Sequence, residues 1–356
     1  MNIFSETDRY YMQRCLQLAR CGSGSTSPNP MVGAVIVCDG RIIGEGYHIR
    51  VGEPHAEVNA VRSVKECDRE LLQRSTIYVS LEPCSHYGKT PPCCDLIIAC
   101  GMKRVVIATT DFNRQVNGEG IARMQRAGIE VVTGLFSDEA QRLNCGFFTL
   151  HCLNRPHITL KWAETADGFI DRVRNSLDDG AALAISTPGS MVAVHKLRAQ
   201  CDAILVGTRT ALLDNPSLTV RHWTGRNPLR LVVDKENILP TSLRLFNDEA
   251  RTVVYTRKVK EGKFGKNIEQ VALADGDVLE QIMRHLASLK VNTLLVEGGA
   301  TLLQSFIDAG LWDTARLERN PLLLVGDGVA APTLPKGLRC STDSLFGNEI
   351  LTFYAK

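Results

Sequence analysis

No apolar run in this 356-residue chain is long enough to cross a bilayer as a helix, and no segment is repeated or of low complexity. An excess of one charge is also missing. Lys and Arg number 41 against 39 Asp and Glu, a formal net charge of +2, and no basic run stands out, so nothing asks for a polyanionic partner. The first residues, "MNIFSETDRYYMQRCLQLAR", lack the apolar stretch and small-residue cleavage site of a secretory signal and read as an amphipathic helix. The twelve cysteines have no regular framework, so free thiols and metal ligands are expected rather than disulfides, with the cytoplasm as compartment.

What remains is an ordinary globular composition, 44% hydrophobic and 22% charged, in a chain better suited to two cores than to one. The first half alternates between strand and helix signals. "MVGAVIVCDGRIIGEGYH" reads as two strands about an Asp39-Gly40 turn, "HAEVNAVRSVKECD" as a helix, "STIYVSLEPC" as a strand entering a loop and "CCDLIIACG" as a short helix. Further strands and a helix follow, then one helix over roughly residues 137 to 149. A new strand begins at His157, so the join is expected at Arg155-Pro156, with domains at 1–152 and 153–356. The second half alternates again as far as "ATLLQSFIDAG". Both halves are expected to be α/β, each with a sheet covered by helices.

"PHAEV" at 54–58 and "EPCSHYGKTPPCC" at 82–94 carry the chemistry. His55, Cys84 and Cys93 have the number and kind of a catalytic zinc site, which uses three protein ligands and leaves a fourth position open. Cysteines packed as plain hydrophobes suit this polar, proline-framed loop poorly. A structural four-ligand site, with His48, His86 or Cys94 as the fourth, would leave Glu57 without a role. Glu57, two residues after His55, can face bound water without ligating the metal and act as general acid and base. His-x-Glu followed by Pro-Cys and a later Cys is the signature of zinc nucleobase deaminases. Eight residues separate Cys84 from Cys93, where such enzymes mostly have two; Cys94 should point away into the core.

"PNPMVGAVIV", "GYHIRVGEPHAEV", "EPCSHYGKTPPC" and "DFNRQVNGEG" resemble the deaminase half of the bifunctional riboflavin-biosynthesis deaminase/reductase family, and the likeness extends over nearly the whole chain. The resemblance implies a cytidine-deaminase-like three-layer domain followed by a dihydrofolate-reductase-like α/β domain. It implies hydrolytic deamination of a diaminopyrimidinone ribosylamine 5'-phosphate with one zinc per chain, then reduction of the ribosyl group to ribityl with NADPH. Asn29 would contact substrate in the first half.

In the second half, "TLLVEGGATLLQSF" reads as strand, Gly-Gly turn and helix, a place where backbone N–H groups can approach a phosphate; it is not the G-x-G-x-x-G fingerprint. The resemblance assigns Ala163, Ala184, Thr210, Asp214, Gly299, Ala300, Thr301, Leu302, Leu303, Gln304 and Ser305 to NADPH, and Ala182, Arg198, Leu218, Arg221 and Glu297 to substrate. Lys161 occupies the family lysine, and Asp214 is a further candidate for proton transfer. Taken alone, Arg198 and Arg221 would read as solvated surface charges.

The chain departs from the family in several places. Ala182 and Ala184 stand where Ser and Trp are usual, "GSM" at 189–191 replaces "EAR", "TADG" at 165–168 replaces "SLDG", and Arg114 replaces Pro. Weakened NADPH binding with persisting reduction is therefore expected. The alternatives are a deaminase whose reductase-like half is impaired or non-catalytic, and an RNA-base deaminase with a degenerate tail. The partners expected are the small phosphorylated pyrimidine and further copies of the chain, with neither nucleic acid nor membrane.

Overall fold

The computed structural model describes residues 4–87, 91–111 and 118–355. Arg114 and the centre of the long loop between Cys84 and Cys93 lie outside the described residues. The chain forms two compact units, Met1–Asn154 and Arg155–Lys356.

The first unit contains α1 (Glu6–Arg20), β1 (Gly33–Cys38), β2 (Arg41–Tyr47), α2 (Ala56–Ser63), β3 (Thr76–Val79), α3 (Cys93–Ala99), β4 (Arg104–Ile107), α4 (Glu119–Arg126), β5 (Glu130–Thr133), α5 (Ser137–Leu143) and α6 (Cys145–Leu153). The sheet order is β2-β1-β3-β4-β5, with β1 antiparallel to both neighbours and β3, β4 and β5 parallel. Side-chain alternation builds three layers. Ala34, Ile36, Ile77 and Val105 meet Ala56 and Ala60 of α2, Ile97 of α3 and Met124 of α4 on one face. Val35, Val37, Tyr78 and Val106 meet Met12 and Leu16 of α1 and Ala140 of α5 on the other.

Two sequence expectations change here. The helix expected over 137–149 is two helices, because Asn144 bends the chain and turns its amide inward, accepting from the Met31 N–H at 2.7 Å and donating to the Met31 carbonyl at 2.9 Å. The helix expected through Asp68 stops at Ser63; after it Glu66–Arg74 form a 3-10 helix whose Asp68 pairs with Arg41 of β2.

The second unit contains β6 (His157–Thr165), β7 (Phe169–Asp171), α7 (Pro188–Gln200), β8 (Ala203–Gly207), α8 (Thr208–Asp214), β9 (Leu229–Val233), β10 (Thr252–Thr256), β11 (Ile268–Ala272), α9 (Val278–Ser288), β12 (Thr293–Glu297), α10 (Ala300–Asp308), β13 (Thr314–Asn320), β14 (Val329–Ala330), β15 (Arg339–Leu345) and β16 (Asn348–Tyr354). Among the described residues nine strands run in the order β11-β10-β9-β8-β12-β6-β13-β16-β15, all parallel except β16, which is antiparallel to both its neighbours. Ile158, Leu160 and Trp162 of β6, Leu294 and Val296 of β12, and Ala315 and Leu317 of β13 pack with α9 and α10 in the main core. By the two-residue strand period, Lys161, Ala163, Glu297, Arg316 and Glu318 face the opposite side. Helix α7 covers that side. Its start is set by "TPGS", in which the Thr187 hydroxyl accepts from the Ser190 N–H and Pro188 occupies the first turn.

Candidate active sites

His55 caps α2 in an extended conformation, and Cys93 opens α3. Two helix starts thus bring a ring nitrogen and a thiol together beneath the loop that follows β3, where Cys84 sits. The His55 Nδ1 lies 3.7 Å from Cys84 Sγ and 3.4 Å from Cys93 Sγ. All three ligand atoms fall within 4.8 Å of one another. Zinc with bonds of about 2.0–2.3 Å to N and S in a tetrahedron needs ligand separations of roughly 3.5 Å, so this donor set fits it. The Cys93 N–H donates to Cys84 Sγ at 3.3 Å. Hydrogen bonding from Cys93 holds the Cys84 thiol down to about 4 against the effect of burial, and His55 adds to this. The same contacts raise the Cys93 thiol, so the pair favours one thiolate, the form that binds metal.

The alternative fourth ligands do not gather here. His48 spends both ring nitrogens elsewhere: Asn29 Nδ2 donates to its Nε2 at 3.1 Å, so its Nδ1–H donates to the Pro54 carbonyl at 3.1 Å. Cys94 is fully buried in the core, and His86 is not in the cluster. Asn29 is thus fixed by the histidine that also supports the turn into His55. Glu57, in the first turn of α2, is 3% exposed. Burial, with the Cys84 charge, pushes its carboxyl up to about 7, so it can both accept and return a proton near neutrality.

A further acid escaped the sequence reading. Glu82, also buried, accepts from the Asp111 and Gly118 N–H groups at 3.3 and 3.2 Å and so braces the two ends of the segment flanking 112–117. Gly120 follows at once, and a Cβ there would stand 2.5 Å from the Pro83 carbonyl oxygen. The "EPC" stretch and Gly118–Gly120 therefore pack together; the signal was Glu82 beside the Pro-Cys.

In the second unit the strand register sets the charges in a row. Glu297 of β12 pairs with Lys161 of β6, which pairs with Arg316 of β13. Helix α7 brings Arg198 over β12, where its Nε and Nη2 donate to Glu297 at 3.2 and 2.6 Å. Burial would raise the Glu297 carboxyl, but Arg198 and then Lys161 hold it below the usual range. Burial lowers the Lys161 ammonium, opposed by Glu297 and Glu318. The Arg221 N–H donates to His195 Nδ1 at 2.9 Å, and its side chain donates to the Thr219 hydroxyl at 3.4 Å. Leu218 is buried with φ 54°. Glu318, also missed, accepts from Ser186 and Ser190 hydroxyls at 2.7 and 2.5 Å and from Asn348 at 2.6 Å. Its sequence signal was an acid alternating with apolar residues in "TARLERN".

At the end of β12, Gly298 and Gly299 take φ 84° and 75°, and a Cβ on Gly299 would stand 2.9 Å from Thr210 Oγ1. The glycine turn and α8 therefore touch. A groove of about 460 Å³ along α10 is lined by Ala300, Thr301, Gln304 and Ser305 among others. Leu303 is different: its side chain is wholly in the core and its N–H donates to the Gly299 carbonyl, while Leu302 packs partly against that core. Ala163 lies opposite Glu318 in the β6–β13 ladder. Ala182 and Ala184 are exposed. Asp214 ends α8 in an ion pair with the buried Arg174.

Residues 5–109 match the cytidine and deoxycytidylate deaminase zinc-binding region, and residues 156–345 match the RibD C-terminal domain. The riboflavin biosynthesis protein RibD of Aquifex aeolicus (strain VF5) is 41% identical over 364 residues, covering 99% of each chain. The chain belongs to the RibD family. RibD of Escherichia coli (strain K12) is 39% identical over 345 residues, covering 92% of this chain and 91% of that one. The crystal structure of a diaminohydroxyphosphoribosylaminopyrimidine deaminase/5-amino-6-(5-phosphoribosylamino)uracil reductase from Thermotoga maritima matches with a TM-score of 0.89 at 35% identity, covering 98% of this chain and 99% of that one. As a RibD enzyme, the chain is a bifunctional deaminase and reductase of riboflavin biosynthesis, with a zinc-binding deaminase domain and an NADPH-dependent reductase domain. It acts on small molecules, and among the described residues no helix is long and apolar enough to cross a membrane.

Proposed function

We propose that His55, Cys84 and Cys93 hold the zinc and that Glu57 carries protons in hydrolytic deamination of 2,5-diamino-6-(ribosylamino)pyrimidin-4-one 5'-phosphate. The observation that carries this is the clustering of three ligand atoms within 4.8 Å, with Glu57 buried two residues from His55. Bound zinc supplies a Lewis acid that brings a water's pKa towards about 7. Glu57 takes a proton from the attacking water and returns protons to the ring nitrogen and to the departing amino group; oxygen replaces nitrogen on the ring carbon and ammonia leaves. Asn29, held by His48, orients the pyrimidine.

In the second unit, bound NADPH would supply the hydride for C1' of the ring-opened ribosyl group, with the accompanying proton drawn from solvent, so that the product is 5-amino-6-(5-phosphoribitylamino)uracil. Arg221 and Arg198 anchor the substrate's anionic end, Glu297 binds its hydroxyls, and Leu218 packs against it. Ala163, Thr210, Asp214 and the Gly299–Ser305 turn form the cofactor side. This assignment is supported by the single charged sheet face under α7. The two activities divide between Asn154 and Arg155. The same reading has the enzyme as a cytoplasmic homo-oligomer that ignores nucleic acid, supported by the net charge of +2 and by exposed Leu322, Leu324 and Phe346. A coupled assay of ammonia release and NADPH oxidation on the diaminopyrimidinone tests the whole scheme. Both signals are expected; ammonia without NADPH oxidation would favour the impaired-reductase alternative.

A further inference from the structure

The segment between β7 and α7 holds the two departures from the family, Ala182 and Ala184, and both are exposed. Their methyl groups offer little packing to fix its path. A buried guanidinium does so instead. Arg174 is only 3% exposed. Its Nε donates to Asp171 Oδ2 at 2.7 Å, and its Nη1 donates to the Leu213 carbonyl at 2.9 Å and the Gly180 carbonyl at 3.4 Å. Its Nη2 reaches the Asp214 carboxylate. The other oxygen of Asp171 accepts from the Leu183 N–H at 2.9 Å, between the two alanines. The Arg174 carbonyl accepts from Arg209 Nη2 at 2.6 Å, one residue before Thr210.

We infer that Arg174 is a positioning residue for NADPH: through this set of bonds it fixes the 180–184 segment against α8, and so sets the spacing between Ala184 on one side and Thr210 and Asp214 on the other. The inference rests on the reading of these residues as the cofactor side. The geometry demands arginine. A planar fork can meet two carboxylates and two carbonyls in different directions at once, whereas a lysine offers a point charge on a flexible stem. The Asp171 and Asp214 carboxylates lie against this guanidinium and offset the cost of taking a cation out of water. The Leu213 carbonyl belongs to the last turn of α8, where a cation is also favoured by the helix dipole.

The test uses the full-length chain with Arg174→Lys and Asp171→Ala. NADPH titration is followed by cofactor fluorescence, amide hydrogen exchange is read over 180–184, and the reduction is resolved into KM for the deaminated pyrimidine and kcat. Misplacement of a positioning segment should raise the Kd for NADPH by about tenfold in both variants, speed exchange at Leu183, and leave KM for the pyrimidine within about twofold. Wild-type Kd and exchange in either folded variant would overturn the inference. A rise in pyrimidine KM equal to that in NADPH Kd would overturn it too, since Arg174 would then be a general structural residue. Should Arg174→Lys fail to fold, Asp171→Ala decides, because it leaves the guanidinium in place with its Asp214 and Leu213 partners and removes only the partly buried carboxylate at the end of β7. Wild-type protein that bound no NADPH would instead sink the cofactor-side reading itself.

Discussion

Glu57 is a carboxyl that burial has moved towards neutrality beside three metal-ligating groups, and its replacement by Gln separates holding metal from moving protons. Glu57→Gln is expected to keep its zinc and lose about 10²- to 10⁴-fold in ammonia release, the usual contribution of general acid–base catalysis. Metal analysis beside the rate checks this. Cys84→Ser removes one of the three clustered donors, and its zinc content should fall well below one per chain. These residues were legible because metal chemistry restricts the ligand types and forces them into a recognisable spacing. Glu82, Glu318 and Arg174 were not. Each is held by partners that arrive from elsewhere in the fold: backbone amides at 111 and 118, hydroxyls just before and at the start of α7, a carboxylate at the end of α8. Nothing local distinguishes them from solvated charges.

Helix α1 is fastened to its sheet by one acid. Asp8 completes a capping box with Ser5, accepts from the Tyr78 hydroxyl of β3 at 2.8 Å and pairs with Arg104 of β4 at 2.6 Å. Burial alone would raise this carboxyl, but Arg104, Ser5 and Tyr78 hold it well below the usual carboxylate range. A depressed folded-state pKa stabilises the fold fully above the unfolded value of about 3.9, and that contribution is lost as pH falls below it. Urea unfolding from pH 7 to pH 2 should therefore show the wild type losing stability below about pH 4 more steeply than Asp8→Asn. At pH 7 that variant should be less stable by about 3 kcal/mol, because Arg104 loses a buried partner. In the second unit, Ala182→Ser with Ala184→Trp should tighten NADPH binding, since both positions face open space and Trp would add an apolar wall. Equal titrations of wild type and double variant would show that these positions do not border the cofactor. Elements with strong periodicity were legible from sequence. Those decided by tertiary contacts were not: the break at Asn144 is made by a side chain bonded to Met31, and the antiparallel pair β15 and β16 carries an exposed strand with too little apolar pattern to announce itself.

Across the whole molecule, two units with separate cores imply two activities that fail separately. Glu57→Gln should still oxidise NADPH when supplied with the deaminated intermediate, at close to the wild-type rate. The reverse variant, Arg221→Gln, should release ammonia normally and raise KM for reduction by about tenfold or more, the worth of a charge-assisted hydrogen bond. Loss of both activities in either folded variant would contradict the division. The α/β class of each unit was legible because alternating strand and helix patterns leave few other arrangements. The strand order of the nine-stranded sheet was not, since it is set by which edges meet, and no single segment records that.

The row formed by Glu297, Lys161 and Arg316 has a consequence during folding. Its members sit opposite one another on three adjacent strands, with Trp162 and Leu160 turned to the other side. A slip of one residue in β6 would drive Lys161 into the apolar layer beneath α9 and α10 and lift Trp162 out of it. An unpaired ion so displaced costs roughly several kcal/mol even after relaxation. The charged row thus proofreads the sheet, and an error in strand pairing is rejected by the side chains that line the face under α7.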